Sequence, residues 1–464
     1  MRALKRGVGI VLGIVVVAIV AGYLYMLLRP PELLRVGAGY SSKIICSSTY
    51  VSGRDPEAVL QSDVQAPGNP ILRLFSLSND SENRLVQTAF LRFIAPVTSA
   101  SRPGLGCVAV PDGDLTRAQG QSALPAPGAE PGGAIWPEGE GVDLAGHEAL
   151  AAVLADDTLA GPGMRGIVVV RDGQIVAERY GEGFDPVTPQ LGWSMAKTVT
   201  AALVGTVVGE GKLSLDQTGL LPMWEADDRA KITLAQLLSM SSGLTFNENY
   251  GDVSDVTRML YLSPDMAGFA ASQELEHDPG TMFSYSSGTT VILSRIWQNA
   301  LGQPEAHGGA HNWPRTALFD PLGMKTAVFE TDAAGTFVGS SYLYASPRDW
   351  ARFGLFLMRG GVWNGARILP EGWVQMMITP SQANPAYGKG QVWMAGPVGD
   401  DLADKDAEFG IPGDAYWLRG HDGQTVAVIP SARVVVVRMG LTPSHLNYRP
   451  QRLVAAVLDA IAQE

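Results

Sequence analysis

Cysteine, histidine and lysine are what this chain has least of. Its 464 residues include two cysteines and six histidines. Neither cysteine has metal-ligand spacing. His307 and His311 are four apart, but Gly308-Gly309 between them predicts a loop, and His147-Glu148 lacks the second histidine of a zinc-protease motif. No metal or other cofactor is therefore expected. Positive charge is also short: 34 Lys and Arg against 46 Asp and Glu, a formal net charge of −12. With no basic cluster past the N-terminus, that balance excludes a nucleic-acid partner. A phosphate-cradling glycine loop and internal repeats are lacking as well. Charged residues make up 17% of the chain and hydrophobic ones 46%, a composition that folds.

One long apolar run stands out. Arg2, Lys5 and Arg6 precede an uncharged stretch over residues 7–28, which Arg29-Pro30-Pro31 closes. It is long enough to cross a bilayer, and the preceding charge places the N-terminus in the cytoplasm. A signal peptide cut after Ala21 is the rival reading, but the apolar run continues through Tyr23 to Leu28, longer than a signal core. An uncleaved membrane anchor is expected, with the rest of the protein extracytoplasmic (periplasmic in a Gram-negative cell). Such a compartment permits a disulfide between Cys46 and Cys107.

Four parts are expected: an anchor over residues 7–28, an N-terminal extension of unknown role over 36–115, a Pro/Gly/Ala-rich linker over 116–140, and a main domain over 141–464. In the extension, Lys43–Cys46, Ile71–Phe75 and Leu91–Ile94 read as short strands, while Leu85–Phe90 alternates too irregularly to assign. The main domain opens on two apolar runs flanking Asp172-Gly173, a hairpin signal. A helical middle follows, with helices starting near Ile232 and spanning Asp349–Met358. The chain then returns to paired strands around Ser431-Ala432 and a closing amphipathic helix from Leu453 to Ile461. Strands at both ends and helices between predict an α+β fold: one antiparallel sheet flanked by helices, with a helical subdomain inserted.

The main domain turns on Gly192-Trp193-Ser194-Met195-Ala196-Lys197, the entry to an almost uncharged helix. Ser194 and Lys197 are i and i+3, so they share a face. A serine hydroxyl needs a neighbour to take its proton, and a lysine of lowered pKa can do so. The helix N-terminus would stabilise an oxyanion above the serine. An N-cap serine with a solvated lysine fits the same four residues. Yet Ser194–Lys197 is the one S-x-x-K pair in the chain, and a lysine heading a buried helix needs a reason.

Two further stretches carry chemistry. Pro279-Gly280 leads into Tyr285-Ser286-Ser287-Gly288, a loop from which the Tyr285 phenol could relay protons to and from a serine oxygen. Gly420-His421-Asp422-Gly423-Gln424 follows the late stretch Leu418-Arg419, where a glycine admits substrate to the backbone and a strand-edge N–H completes an oxyanion hole. Each alone also reads as a packed loop aromatic or a plain turn.

In this order, the three stretches resemble the motifs of the serine β-lactamase and penicillin-binding-protein superfamily: S-x-x-K, Y-x-N and K-T-G. The tyrosine points to the class C-like branch, and the look is similar to 6-aminohexanoate-dimer hydrolases and family VIII carboxylesterases. Ile232–Leu244 and Phe319-Asp320-Pro321-Leu322-Gly323-Met324 carry the same likeness, which covers about Val142 to the C-terminus. The resemblance implies a β-lactamase-like fold with the site between a sheet lobe and a helical lobe. It implies Ser194 as nucleophile, Lys197 as general base and Tyr285 as proton shuttle. The N–H groups of Ser194 and of Gln424, just past Gly423, would form the oxyanion hole.

The departures from those motifs shape the expected substrate. Ser287 stands where β-lactamases have asparagine, and His421-Asp422 stand where they have lysine and threonine. The loss of the lysine charge favours ester or linear-amide hydrolysis, although Arg419 could reach in. The alternatives are β-lactamase or D-alanyl-D-alanine carboxypeptidase activity, or a sensor that acylates without turnover. An α/β-hydrolase elbow at Gly192–Ala196, served by His421 or His445 with Asp401 or Asp404, is a further alternative, but its last glycine is alanine and parallel β-α units are not apparent. The expected partners are a small ester, amide or peptide substrate and, through the first helix, a membrane.

Overall fold

A computed structural model describes residues 2–129, 133–302, 309–397 and 406–464; His307, Asp401 and Asp404 lie outside them. The first helix, α1 (Arg2–Leu28), is apolar over 21 residues from Val8, with mean hydropathy 2.7; none of that span is fully buried, and only Tyr23 and Met26 are half-buried. Helix α2 (Glu32–Tyr50) follows after Pro30-Pro31 and is deeply buried from Val36 to Ser48. Four antiparallel strands then lie in sequence order: β1 (Phe75–Asp80), β2 (Leu85–Phe90), β3 (Ile94–Arg102) and β4 (Gly106–Val110).

This first part corrects three sequence expectations. Lys43–Cys46 is the middle of α2, because its apolar side chains sit on an amphipathic helix whose polar face is itself buried. Ile71–Phe75 is mostly a 3-10 turn started by Pro70 and capped by Asn69, with only Phe75 in a strand. Leu91 and Arg92 have positive φ and form the turn between β2 and β3. Leu85–Phe90 is a strand, its alternation blurred because Ala89 and Phe90 are buried on successive positions.

The Cys46–Cys107 disulfide ties α2 to β4 across 61 residues. By loop-closure entropy, that contributes about 4 kcal/mol. The linker is packed at its end: Glu140 is buried between Arg348 and Arg352, at 3.2 and 2.7 Å.

In the main domain the hairpin of β5 (Met164–Arg171) and β6 (Gln174–Tyr180) turns at Asp172-Gly173, both with positive φ, as a primed two-residue turn requires. These strands join β7 (Tyr416–Arg419), β8 (Thr425–Ile429) and β9 (Val434–Gly440) in one antiparallel sheet of order β7-β8-β9-β5-β6. The runs Ile167–Val170 and Val434–Val437 alternate between two cores. Val168, Val170, Val435 and Val437 face one core; Ile167, Val169, Val434 and Val436 face the other. The first core holds α3 (Met195–Gly209), α4 (Ser287–Leu301) and α5 (Pro347–Met358), together with residues of α2; the second holds α6 (Pro450–Gln463). This is the expected α+β, β-lactamase-like arrangement. An all-antiparallel sheet excludes the α/β-hydrolase alternative.

Candidate active site

The turn before α3 is built by close approach. Gly192 donates its N–H to Leu343 O at 2.9 Å, and a Cβ on it would meet the Trp350 ring at 2.2 Å. Trp193 then takes a φ of 48°, a conformation that costs a non-glycine residue energy and marks functional turns. Ser194 is the N-cap of α3, but its side chain makes no cap bond. Its Oγ instead accepts from Lys197 Nζ at 3.1 Å.

Lys197 is 1% exposed, so its Nζ must be satisfied inside the protein. Besides Ser194 it donates to Ser287 Oγ at 3.0 Å and to Ser340 O at 3.1 Å. The Tyr285 ring lies 4.8 Å from Nζ. Tyr285 is held by the loop before α4. Ser284 N–H donates to Met240 O at 2.8 Å and Gly280 N–H to Ser241 O at 2.7 Å, while Ser286 caps α4 through Thr289 N–H. The stretch Ile232–Leu244 thus supports the Tyr285 loop. Ser194, Lys197, Tyr285 and Ser287 come together, although they are up to 93 residues apart in sequence.

The third stretch lies alongside. A Cβ on Gly420 would meet Gly192 O at 2.3 Å, so the end of β7 touches the Ser194 turn. Gly423 has φ of 81°, and its carbonyl accepts from Arg438. The Gln424 side chain is spent inside the sheet on the backbone of Gly440 and its carbonyl accepts Gly420 N–H at 2.8 Å, which leaves its own N–H for any substrate role. His421 is stacked on Tyr250, with ring centroids 5.1 Å apart, and meets Trp193 edge-on at 5.7 Å. Burial pushes the Asp422 carboxyl up, against the attraction of His421 beside it. Arg419 lies on the Trp393 face, 4.1 Å from its centroid, with no hydrogen bond or ion pair among the described residues. Burial brings its guanidinium down to about 10, so it stays charged at neutral pH.

Sequence reading missed Glu248 and Tyr250. Glu248 accepts from Ser287 N–H at 2.8 Å and from Ser287 Oγ at 2.5 Å, and the Tyr250 hydroxyl is 3.4 Å from Ser287 Oγ. No spacing rule links a loop carboxylate to a serine 39 residues away. His311 lies on a short helix, Gly309–Pro314, rather than in the expected loop, and contacts Gly335 O. Among the described residues no cluster of metal-ligating side chains occurs.

The chain matches the Beta-lactamase family over residues 154–455, well over half its length. It belongs to the Beta-lactamase family. A 6-aminohexanoate-dimer hydrolase of Paenarthrobacter ureafaciens is 25% identical over 290 residues, covering 56% of this chain and 70% of the relative. Among solved structures, a family VIII carboxylesterase superposes with TM-score 0.51 at 15% identity, covering 69% of this chain and 99% of its own. A penicillin-binding-protein homologue from Caulobacter crescentus gives TM-score 0.51 at 16% identity, with coverage of 69% and 99%. At those identities the structures speak for the fold, while the family and the curated relative make this Beta-lactamase family member a serine hydrolase.

Proposed function

We propose that this family member hydrolyses an ester or linear amide through an acyl-enzyme on Ser194. Lys197 takes the Ser194 proton as Oγ attacks the substrate carbonyl. The N–H groups of Ser194 and Gln424 stabilise the oxyanion. Tyr285 passes a proton to the leaving alcohol or amine, whose bond to the carbonyl breaks. It then helps activate water, which attacks the acyl carbonyl and frees Ser194. The observation that carries this reading is the 3.1 Å contact of Lys197 Nζ with Ser194 Oγ beneath the Tyr285 ring. We further infer that α1 anchors the protein in a membrane with residues 36–464 extracytoplasmic. The apolar span after Arg2, Lys5 and Arg6 and the Cys46–Cys107 bridge support this.

The test is a fluorophosphonate label with peptide mapping, alongside p-nitrophenyl esters, short linear amides and a β-lactam. Label on Ser194 with ester or amide turnover, both lost in Ser194→Ala, is the expected result. A folded Ser194→Ala protein that keeps full turnover overturns the assignment.

A further inference from the structure

A cavity of about 250 Å³ opens beside the site, and Tyr285 is not part of its lining. Its inner wall is Trp193, Tyr250 and His421, the aromatic group that adjoins Ser194 and Ser287. Its outer wall comes from the extension: Leu33 and Val36 of α2, and Ile71 and Leu72 of the turn after it. Pockets that take a whole small ligand measure about 300–1,000 Å³, so this one suits one arm of a substrate.

Tyr285, which serves the leaving group in the reading above, packs instead on Tyr387 and Trp393, and none of these three lines the cavity. The Tyr285 group and the cavity therefore share no wall, and the arm in the cavity is assigned to the acyl group. We propose that the cavity seats an aliphatic acyl chain, making medium-chain acyl esters or amides the substrate class. This rests on the acyl-enzyme reading at Ser194. The extension then has a role at the site: it supplies the apolar wall that the main domain lacks. Leu33 also follows α1 after only Arg29, Pro30, Pro31 and Glu32, so the chain-binding wall begins where the apolar helix ends.

The experiment uses the full chain in phospholipid nanodiscs and p-nitrophenyl esters from acetyl to octanoyl. Leu33 is 40% exposed and Ile71 half-buried, so Leu33→Trp and Ile71→Trp narrow the cavity from its rim with little risk to folding. The wild type is expected to favour octanoyl over acetyl by about tenfold or more in kcat/KM, as burial of added methylenes implies. Each variant is expected to lose about tenfold on octanoyl and keep acetyl turnover within about twofold. Acetyl turnover with a chain-length profile that is flat, or unchanged in both variants, overturns the cavity assignment alone. Absence of both acetyl turnover and a fluorophosphonate label on Ser194 overturns the acyl-enzyme reading and this assignment with it.

Discussion

Glu248 grips Ser287 with both carboxylate oxygens, one on the backbone N–H at 2.8 Å and one on the hydroxyl at 2.5 Å. The hydroxyl proton is thereby drawn toward Glu248, and the Ser287 lone pair is left to face Lys197 Nζ at 3.0 Å. Glu248→Gln replaces one acceptor with an N–H₂ donor, so the Ser287 proton turns toward Lys197 and competes with it. The expected outcome is a fall in kcat of about tenfold with KM within about twofold, because Glu248 positions Lys197 and does not bind substrate. Steady-state kinetics on a p-nitrophenyl ester, with Glu248→Asp as partial rescue, measure it. Equal losses in kcat and in thermal midpoint for both variants would show a merely structural role.

Arg419, with no hydrogen bond or ion pair among the described residues, brings a positive charge to the Tyr285 side of the cleft, next to Trp393. Anionic substrate groups reaching that flank gain from it, and neutral ones do not. Arg419→Gln is expected to lower kcat/KM about tenfold for amides with a leaving-group carboxylate and to leave neutral esters within about twofold. A parallel loss on both classes would remove the assignment.

Asp63 joins the extension to the sheet lobe. It pairs with Arg54 at 2.5 Å and with Arg165 of β5 at 2.6 Å. Burial raises its pKa, but the two guanidinium groups outweigh that and hold the carboxyl at about 2. A depressed carboxyl stabilises the fold above its unfolded pKa, about 3.9, and that contribution disappears as pH falls toward about 2. Stability is expected to be level with respect to this group above about pH 5 and to drop below about pH 4. Asp63→Asn should cost about 2 kcal/mol at neutral pH and flatten the acid limb, as read by denaturant unfolding against pH.

Lys43 and Glu330 form a fully buried ion pair across the junction of α2 and the main domain, at 2.5 Å. Ser47 Oγ and Cys107 N–H also donate to Glu330, and the Tyr342 ring lies 3.9 Å from the Lys43 ammonium. Lys43→Met strands the carboxylate and is expected to cost about 3–5 kcal/mol; the double change Lys43→Met/Glu330→Gln should recover most of it. Unfolding free energies of the two single variants and the double variant complete the cycle.

Much of the main domain could be read from its sequence, because local rules act there. Asp172-Gly173 dictates its turn, the valine runs dictate their strands, and Ser194 and Lys197 meet through helical spacing alone. The extension misled because α2 is buried on nearly all sides. Lys43 and Ser47 look out of place in a buried helix until Glu330, nearly 300 residues away, supplies their partner. The same limit hid Glu248. A carboxylate that acts through Ser287 leaves no periodic trace, since the two residues are 39 positions apart and meet only in the folded chain.

The Lys43–Glu330 junction also decides where this protein can be cut. A soluble enzyme trimmed at the Pro/Gly/Ala stretch would expose Glu330 with no cation, bare the apolar surface that α2 covers and lose one wall of the cavity. Removing only the first helix keeps all three. Glu32 pairs with Arg258 at 2.9 Å, so the break belongs before that residue, at the Pro30-Pro31 pair.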